Sequence, residues 1–118
     1  MQVTVKGWNT VDIVYSSSDS YCEIAGISML SLLENNKAAD EINLYLIDNS
    51  ISEKNRQRLE SMVAGYGRTL IYLEHPDIEK QSGTTINVGR WNISTFYRLF
   101  LPSMLPEAVK RVLFIDCD

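Results

Sequence analysis

Two carboxylates, Asp116 and Asp118, follow the apolar run Val112-Leu113-Phe114-Ile115 at a spacing of two. Side chains on an extended backbone alternate with period 2, so both carboxylates are expected on one side of the chain. Hard oxygen donors so placed, past the C-terminal end of a strand, suit Mg²⁺ or Mn²⁺, ions that keep positions open for substrate phosphates. The plainer reading is a solvated strand end or the cap of a following helix. A second chemical feature is Ser16-Ser17-Ser18-Asp19-Ser20-Tyr21, which brings hydroxyls, one carboxylate and one aromatic ring to the start of a helix. Free N–H groups for an anion and a ring face for a base would suit a nucleotide there. Tyr21 has an alternative role as a staple packing on the loop. Arg98 lies among Phe96, Leu99 and Phe100. It reads either as a bidentate clamp on a phosphate or sugar hydroxyl, or as a structural ion pair that snorkels to the surface. His75 precedes Pro76 in a loop and has no partner motif, so it reads as a surface residue.

The composition narrows the setting. With 118 residues, 45% of them apolar and 22% charged, the chain has the size and make-up of one globular domain, residues 1–118. A net charge of −4 without any dense Lys/Arg run argues against a nucleic-acid surface. No apolar stretch has the length of a transmembrane span, and Met1–Gly7 lacks the apolar centre of a signal peptide. Cys22 and Cys117 have no zinc-like spacing, and the simplest expectation is two reduced thiols in a cytoplasmic protein. Neither Gly-x-Gly-x-x-Gly nor Gly-x-x-x-x-Gly-Lys is present, which removes the usual dinucleotide and P-loop motifs.

The elements that must position these residues are legible as alternating patterns. Val11–Tyr15 reads as a first strand. Ser20-x-x-Glu23 has the form of a capping box opening a helix that runs to about Glu34 and is apolar over most of its circumference. Ile42–Ile47 is a second strand. Ser50 or Ser52 caps an amphipathic helix with Leu59, Met62, Val63 and Tyr66 on one face, stopped by Gly65 and Gly67. Thr69–Leu73 is a third strand, and a long loop runs from Glu74 to about Asn92. A short helix over Thr95–Leu101 is expected, capped by Ser94 and stopped by Pro102. Pro106 opens one more turn before a buried final strand, Val112–Ile115. The order β-α-β-α-β-loop-α-β predicts an α/β fold: a doubly wound, mainly parallel sheet with strand order 3-2-1-4. The reversal between the first and last strands opens a crevice beyond their C-terminal ends, where Ser16–Tyr21 and Asp116–Asp118 meet.

The blocks Asp12–Tyr21, Ser31–Asn36, Ser94–Leu99 with Leu105-Pro106, and Val112–Asp118 resemble family 8 glycosyltransferases in order and spacing across nearly the whole chain. That resemblance implies a retaining enzyme of the GT-A, nucleotide-diphospho-sugar transferase fold. It also implies a UDP-sugar donor, with galactose or glucose as the transferred hexose, and Mn²⁺ or Mg²⁺ as cofactor. It implies that Ser16, Ser18 and Tyr21 line the nucleoside pocket, with Tyr21 against the uracil. Arg98 would contact the donor sugar or diphosphate, and Asp116 and Asp118 would bind the metal. Two positions depart from the family pattern: Ser18 stands where an acidic residue is frequent, and Ser20 stands where Asn is frequent.

The sequence therefore reads as the donor-binding, N-terminal half of a hexosyltransferase, with a glycan or lipopolysaccharide-type acceptor. The resemblance implies that a further metal ligand and the acceptor site belong to the other half, so the chain by itself is expected to be inactive. Two other readings stand beside it. One is a non-catalytic nucleotide-binding or interaction module. The other is an aspartate-nucleophile phosphatase, although that class carries its Asp-x-Asp on a first strand. The final strand, continuous in apolar residues and at the sheet edge, also leads us to expect self-association.

Overall fold

The computed structural model describes residues 10–78, 80, 83 and 93–117. Most of the long loop that follows β3, the side chain of the expected cap Ser94, and Asp118 lie outside what is described. Among the described residues the strands are β1 (Thr10–Ser18), β2 (Glu41–Asn49), β3 (Thr69–Glu74) and β4 (Leu113–Phe114). They form one sheet ordered β3-β2-β1-β4, and every pairing is parallel. The expected topology is the observed one. β1 and β2 pair over nine residues, from Thr10 opposite Glu41 to Ser18 opposite Asn49, longer than the apolar runs alone suggest. Their polar ends extend the ladder because the backbone, not the side chain, makes its hydrogen bonds.

Alternation along the strands gives the sheet two packed faces. Ile13 and Tyr15 of β1, with Ile42, Leu44 and Leu46 of β2, meet helices α1 (Cys22–Asn35) and α2 (Glu53–Gly65) through Met29, Leu33, Leu59 and Val63. Val14, Tyr45, Ile47 and Leu73 face the other way, onto Ile78, Tyr97 and Leu101. Such two-sided burial is what parallel strands require, since their crossovers cover both faces. The helices come close: a Cβ on Gly26 of α1 would meet the Leu59 side chain of α2 at 3.3 Å. Gly67, at φ +70°, takes the left-handed conformation just beyond α2 that side chains resist.

Three local expectations are corrected. Ser20 does not cap α1, because a 3₁₀ turn, Asp19–Tyr21, intervenes and the helix starts after Tyr21 without a side-chain cap. Ser20 Oγ instead lies 3.0 Å from Ser18 Oγ. On α1, apolar over most of its circumference, Ile24, Ile27 and Leu30 are exposed, because the sheet and α2 occupy only one side. Pro102 does not stop a helix; it sits in the first turn of α3 (Leu101–Met104), after a 3₁₀ segment, Ile93–Phe100. A first turn tolerates proline because its N–H would have no partner there. The last strand is not a buried four-residue run. β4 pairs through two residues, and Leu113 is 55% exposed. Period-2 alternation places Leu113 on the same face as Ile115, but an edge strand has a neighbour on one side only.

The second helix follows expectation, with Ser52 as its cap: Ser52 Oγ accepts the Asn55 N–H at 3.3 Å.

Burial predicts a sharp contrast between two single substitutions. Leu46→Ala, at a fully buried position between sheet and helices, should cost about 2–5 kcal/mol of stability. Ile27→Ala, on the open face of α1, should change it by no more than about 0.5 kcal/mol. Urea unfolding midpoints at equal m-values measure both.

Candidate functional site

Parallel strands deliver all their C-terminal ends to one edge of the sheet, so the site is built where β1 and β4 finish side by side. The β4 ladder continues one step past Phe114, with Ile115 N–H donating to the Val14 carbonyl at 2.9 Å. Two residues on, the Cys117 thiol donates to the Ser16 carbonyl at 3.0 Å. This bond spans 101 residues of sequence and ties the start of the serine-rich loop to the acidic end of the chain. Of the predicted metal pair, Asp116 stands at this junction with its side chain 64% exposed. Asp118 lies outside the described residues.

Arg98 comes to the same place from the 3₁₀ segment. Its guanidinium carbon sits 4.9 Å from the centroid of the Phe114 ring, and Nη2 is 3.5 Å from Asp116 Oδ1. The guanidinium thus lies over an aromatic ring and faces a carboxylate, the ion-pair arrangement of the two read from the sequence. The pair is solvent-exposed and long, so its contribution to stability is about 0–1 kcal/mol. Little holds Asp116 away from another cation. A hard carboxylate open to solvent at a strand end fits Mg²⁺ or Mn²⁺. Among the described residues, however, no group of three or more His, Cys, Asp or Glu converges as a metal cage.

The loop on the β1 side is arranged in two directions. Tyr21 is 51% exposed. The hydroxyls of Ser18 and Ser20 sit together at its base. Ser17, by contrast, is buried, with its hydroxyl donating to the Ser18 carbonyl at 2.8 Å. Below the loop, Tyr15 is fully buried, and its phenol meets Ser28 Oγ on α1 at 2.9 Å. Burial pushes the Tyr15 phenol above its ordinary pKa, which keeps it a neutral strut. His75 is exposed and stacks on Tyr97 at 5.5 Å between ring centroids, a packing role in keeping with the surface reading. Two surface grooves of about 380 Å³ each lie elsewhere, one between α1 and α2 and one beside α3. Neither includes Asp116, Tyr21 or Arg98, and convergence of chemistry is a better guide here than concavity.

One residue of this region escapes a reading by motif. Asp19 Oδ1 accepts from the Ser52 N–H at 2.8 Å and from Asn55 Nδ2 at 2.9 Å, both in the first turn of α2. The available signal was the strand order itself: with β1 beside β2, the loops after them must be neighbours.

A doubly wound parallel sheet ordered 3-2-1-4, with a serine-rich loop and an acidic segment at its reversal point, is the architecture of GT-A glycosyltransferases. The sequence profile of Glycosyl transferase family 8 matches residues 12–118, and the chain belongs to that family. It is 30% identical over 108 residues to General stress protein A of Bacillus subtilis (strain 168), covering 90% of this chain and 37% of that protein. Among solved structures it superimposes with a TM-score of 0.71 and 26% identity on galactosyltransferase LgtC, crystallised with donor and acceptor sugar analogues. That likeness covers 92% of this chain and 38% of LgtC. The bifunctional glycosyltransferase WbbM shares the fold, with a TM-score of 0.71 at 21% identity over 98% of this chain and 20% of its own. The chain thus spans well under half the length of these relatives. Family membership sets the phosphatase alternative aside. No helix among the described residues is long and apolar enough to cross a membrane.

The hydrogen bonds to Asp19 hold its carboxyl below the usual carboxylate range, the Ser52 N–H contributing first. A lowered folded-state pKa favours the fold above the unfolded-state value, and this contribution disappears as pH falls through the folded-state value. We therefore expect the Asp19 carboxyl, followed by NMR, to titrate below an unstructured aspartate. In Asp19→Asn the acid unfolding transition should lose that component.

Proposed function

We propose that this chain is the donor-binding part of a retaining hexosyltransferase that takes galactose or glucose from a UDP-sugar. The acceptor would be a hydroxyl of a glycan or lipopolysaccharide-type saccharide. The observation that carries the reading is the junction of the two loops at the ends of β1 and β4, tied by Cys117 and Ser16. An exposed aromatic residue on one loop suits the base, and an exposed carboxylate on the other could hold the cation that a diphosphate needs. The solved complex of LgtC with donor and acceptor sugar analogues, in a relative of the same fold, supports it further.

In this reading Tyr21 stacks on the uracil, while Ser16 and Ser18 offer hydroxyl and backbone contacts to the nucleoside. Arg98 turns its guanidinium to the diphosphate or donor sugar, where a planar fork matches anionic oxygens. Asp116 and Asp118 would hold Mn²⁺ or Mg²⁺. A bound ion of this kind offsets negative charge on a leaving diphosphate. Retention requires the acceptor hydroxyl to enter on the face from which UDP departs, and no residue of this chain is assigned as a nucleophile.

Titration calorimetry tests the reading directly. UDP should bind the chain, and Mn²⁺ should strengthen that binding. Asp116→Asn should abolish the strengthening with little change in unfolding midpoint, because the side chain is exposed. Tyr21→Ala should weaken UDP by about 1–3 kcal/mol, whereas Tyr21→Phe keeps most of the affinity because the ring face is retained. Equal affinity in wild type and Tyr21→Ala would return the ring to a structural role.

We also propose that the chain self-associates through its open sheet edge, where β4 pairs on one side and exposes Leu113. Light scattering coupled to size exclusion should give a dimer that Leu113→Lys weakens. A monomer, or a dimer indifferent to that change, would count against this edge.

A further inference from the structure

The turn that bears Tyr21 has few bonds of its own. It is three residues long, neither it nor α1 has a side-chain cap, and its serine pair is exposed to solvent. Its anchor lies in the next crossover. Asp19 Oδ1 takes two donors from the first turn of α2, the backbone N–H of Ser52 at 2.8 Å and the Asn55 side chain at 2.9 Å. Those donors are themselves held. Ser52 Oγ accepts the Asn55 N–H, and Asp48 Oδ1 accepts the Ile51 N–H at 2.8 Å. The helix behind them is docked by buried Leu59 and Val63. A carboxylate at a helix N-terminus satisfies N–H groups that otherwise have no partner, and the charge strengthens each bond. The last pair of the β1–β2 ladder, Ser18 opposite Asn49, brings the two loops within reach of this bond.

We propose that Asp19 is a positioning residue for the nucleoside: by clasping the first turn of α2 it fixes the Ser18–Tyr21 turn and so the orientation of the Tyr21 ring. The assignment rests on the nucleotide-binding reading above. Asp19 does not touch the ligand in this scheme. It acts through Tyr21, and its carboxylate is turned from the nucleotide's anionic groups toward α2.

The test is calorimetric titration of the chain with UDP in the presence of Mn²⁺, in four variants. Asp19→Ala should weaken UDP about tenfold, the size of one lost charge-assisted hydrogen bond. Asp19→Asn should stay near wild type, because its amide oxygen still accepts from Ser52. Asn55→Ala should weaken UDP more modestly, and the double variant Asp19→Ala with Asn55→Ala should be no weaker than Asp19→Ala alone. Inorganic pyrophosphate, which has no base to stack, should bind every variant as it binds wild type, whereas general loosening of the site would weaken both ligands. If Asp19→Ala fails to fold, Asn55→Ala carries the test. Unchanged UDP affinity in the alanine variants, an equal loss in Asp19→Asn, or additive losses in the double variant would overturn the assignment. Failure of the wild-type chain to bind UDP is a separate result, seen in the first titration, and would overturn the nucleotide reading and this assignment with it.

Discussion

The parallel pairing of β1 with a neighbour on each side is the constraint from which the rest follows. A parallel ladder forces every connection to cross from one end of the sheet to the other, so each strand must be followed by a covering element. Val14 shows the consequence at one residue. It is fully buried, opposite Tyr45 on one side and Phe114 on the other, with Tyr97 and Leu101 packed beyond it. Because all strands run the same way, the loops after β1, β2 and β4 emerge together. Chemistry gathers at that edge through geometry, before any side chain is chosen.

The edge is then secured by a small number of polar bonds between segments distant in sequence. Cys117 joins the chain's acidic end to Ser16, and Asp19 joins the tyrosine-bearing turn to α2. These contacts complement one another. In the proposed reading the first would set the spacing between the phosphate side and the nucleoside side, and the second the orientation of the Tyr21 turn. The residues given direct roles, Tyr21, Asp116 and Arg98, remain exposed, as groups must that are to meet a ligand.

The exposed apolar residues divide along a similar line. Leu113 and Leu99 are open on the β4 side of the chain and on the segment leading to it, while Ile24, Ile27 and Leu30 are open on α1. In a family whose relatives are more than twice as long, apolar surface of this kind is a natural place for further structure or partners to pack. It also explains why α1 carries apolar residues round most of its circumference although the sheet and α2 need only part of it.

What the sequence determined by itself was the alternation of elements, and with it the sheet. Strand runs such as Ile42–Ile47 and the amphipathic face Leu59-Met62-Val63 are local periodicities that few other structures satisfy. The order 3-2-1-4 is one that right-handed crossovers permit, and it is the order observed. The Asp-x-Asp and Ser16–Tyr21 blocks were legible for the same local reason, as residue types at fixed spacings, and they carried the family. The tertiary structure decided what depends on neighbours. Ser20 had the spacing of a capping box but lost that role to a 3₁₀ turn. Pro102 opened a helix instead of closing one, and of Val112–Ile115 only Leu113 and Phe114 paired in the ladder. Asp19 looked like one more polar loop residue. Its hydrogen bonds to Ser52 and Asn55 exist only because β1 and β2 lie side by side, a proximity in space that no local spacing encodes.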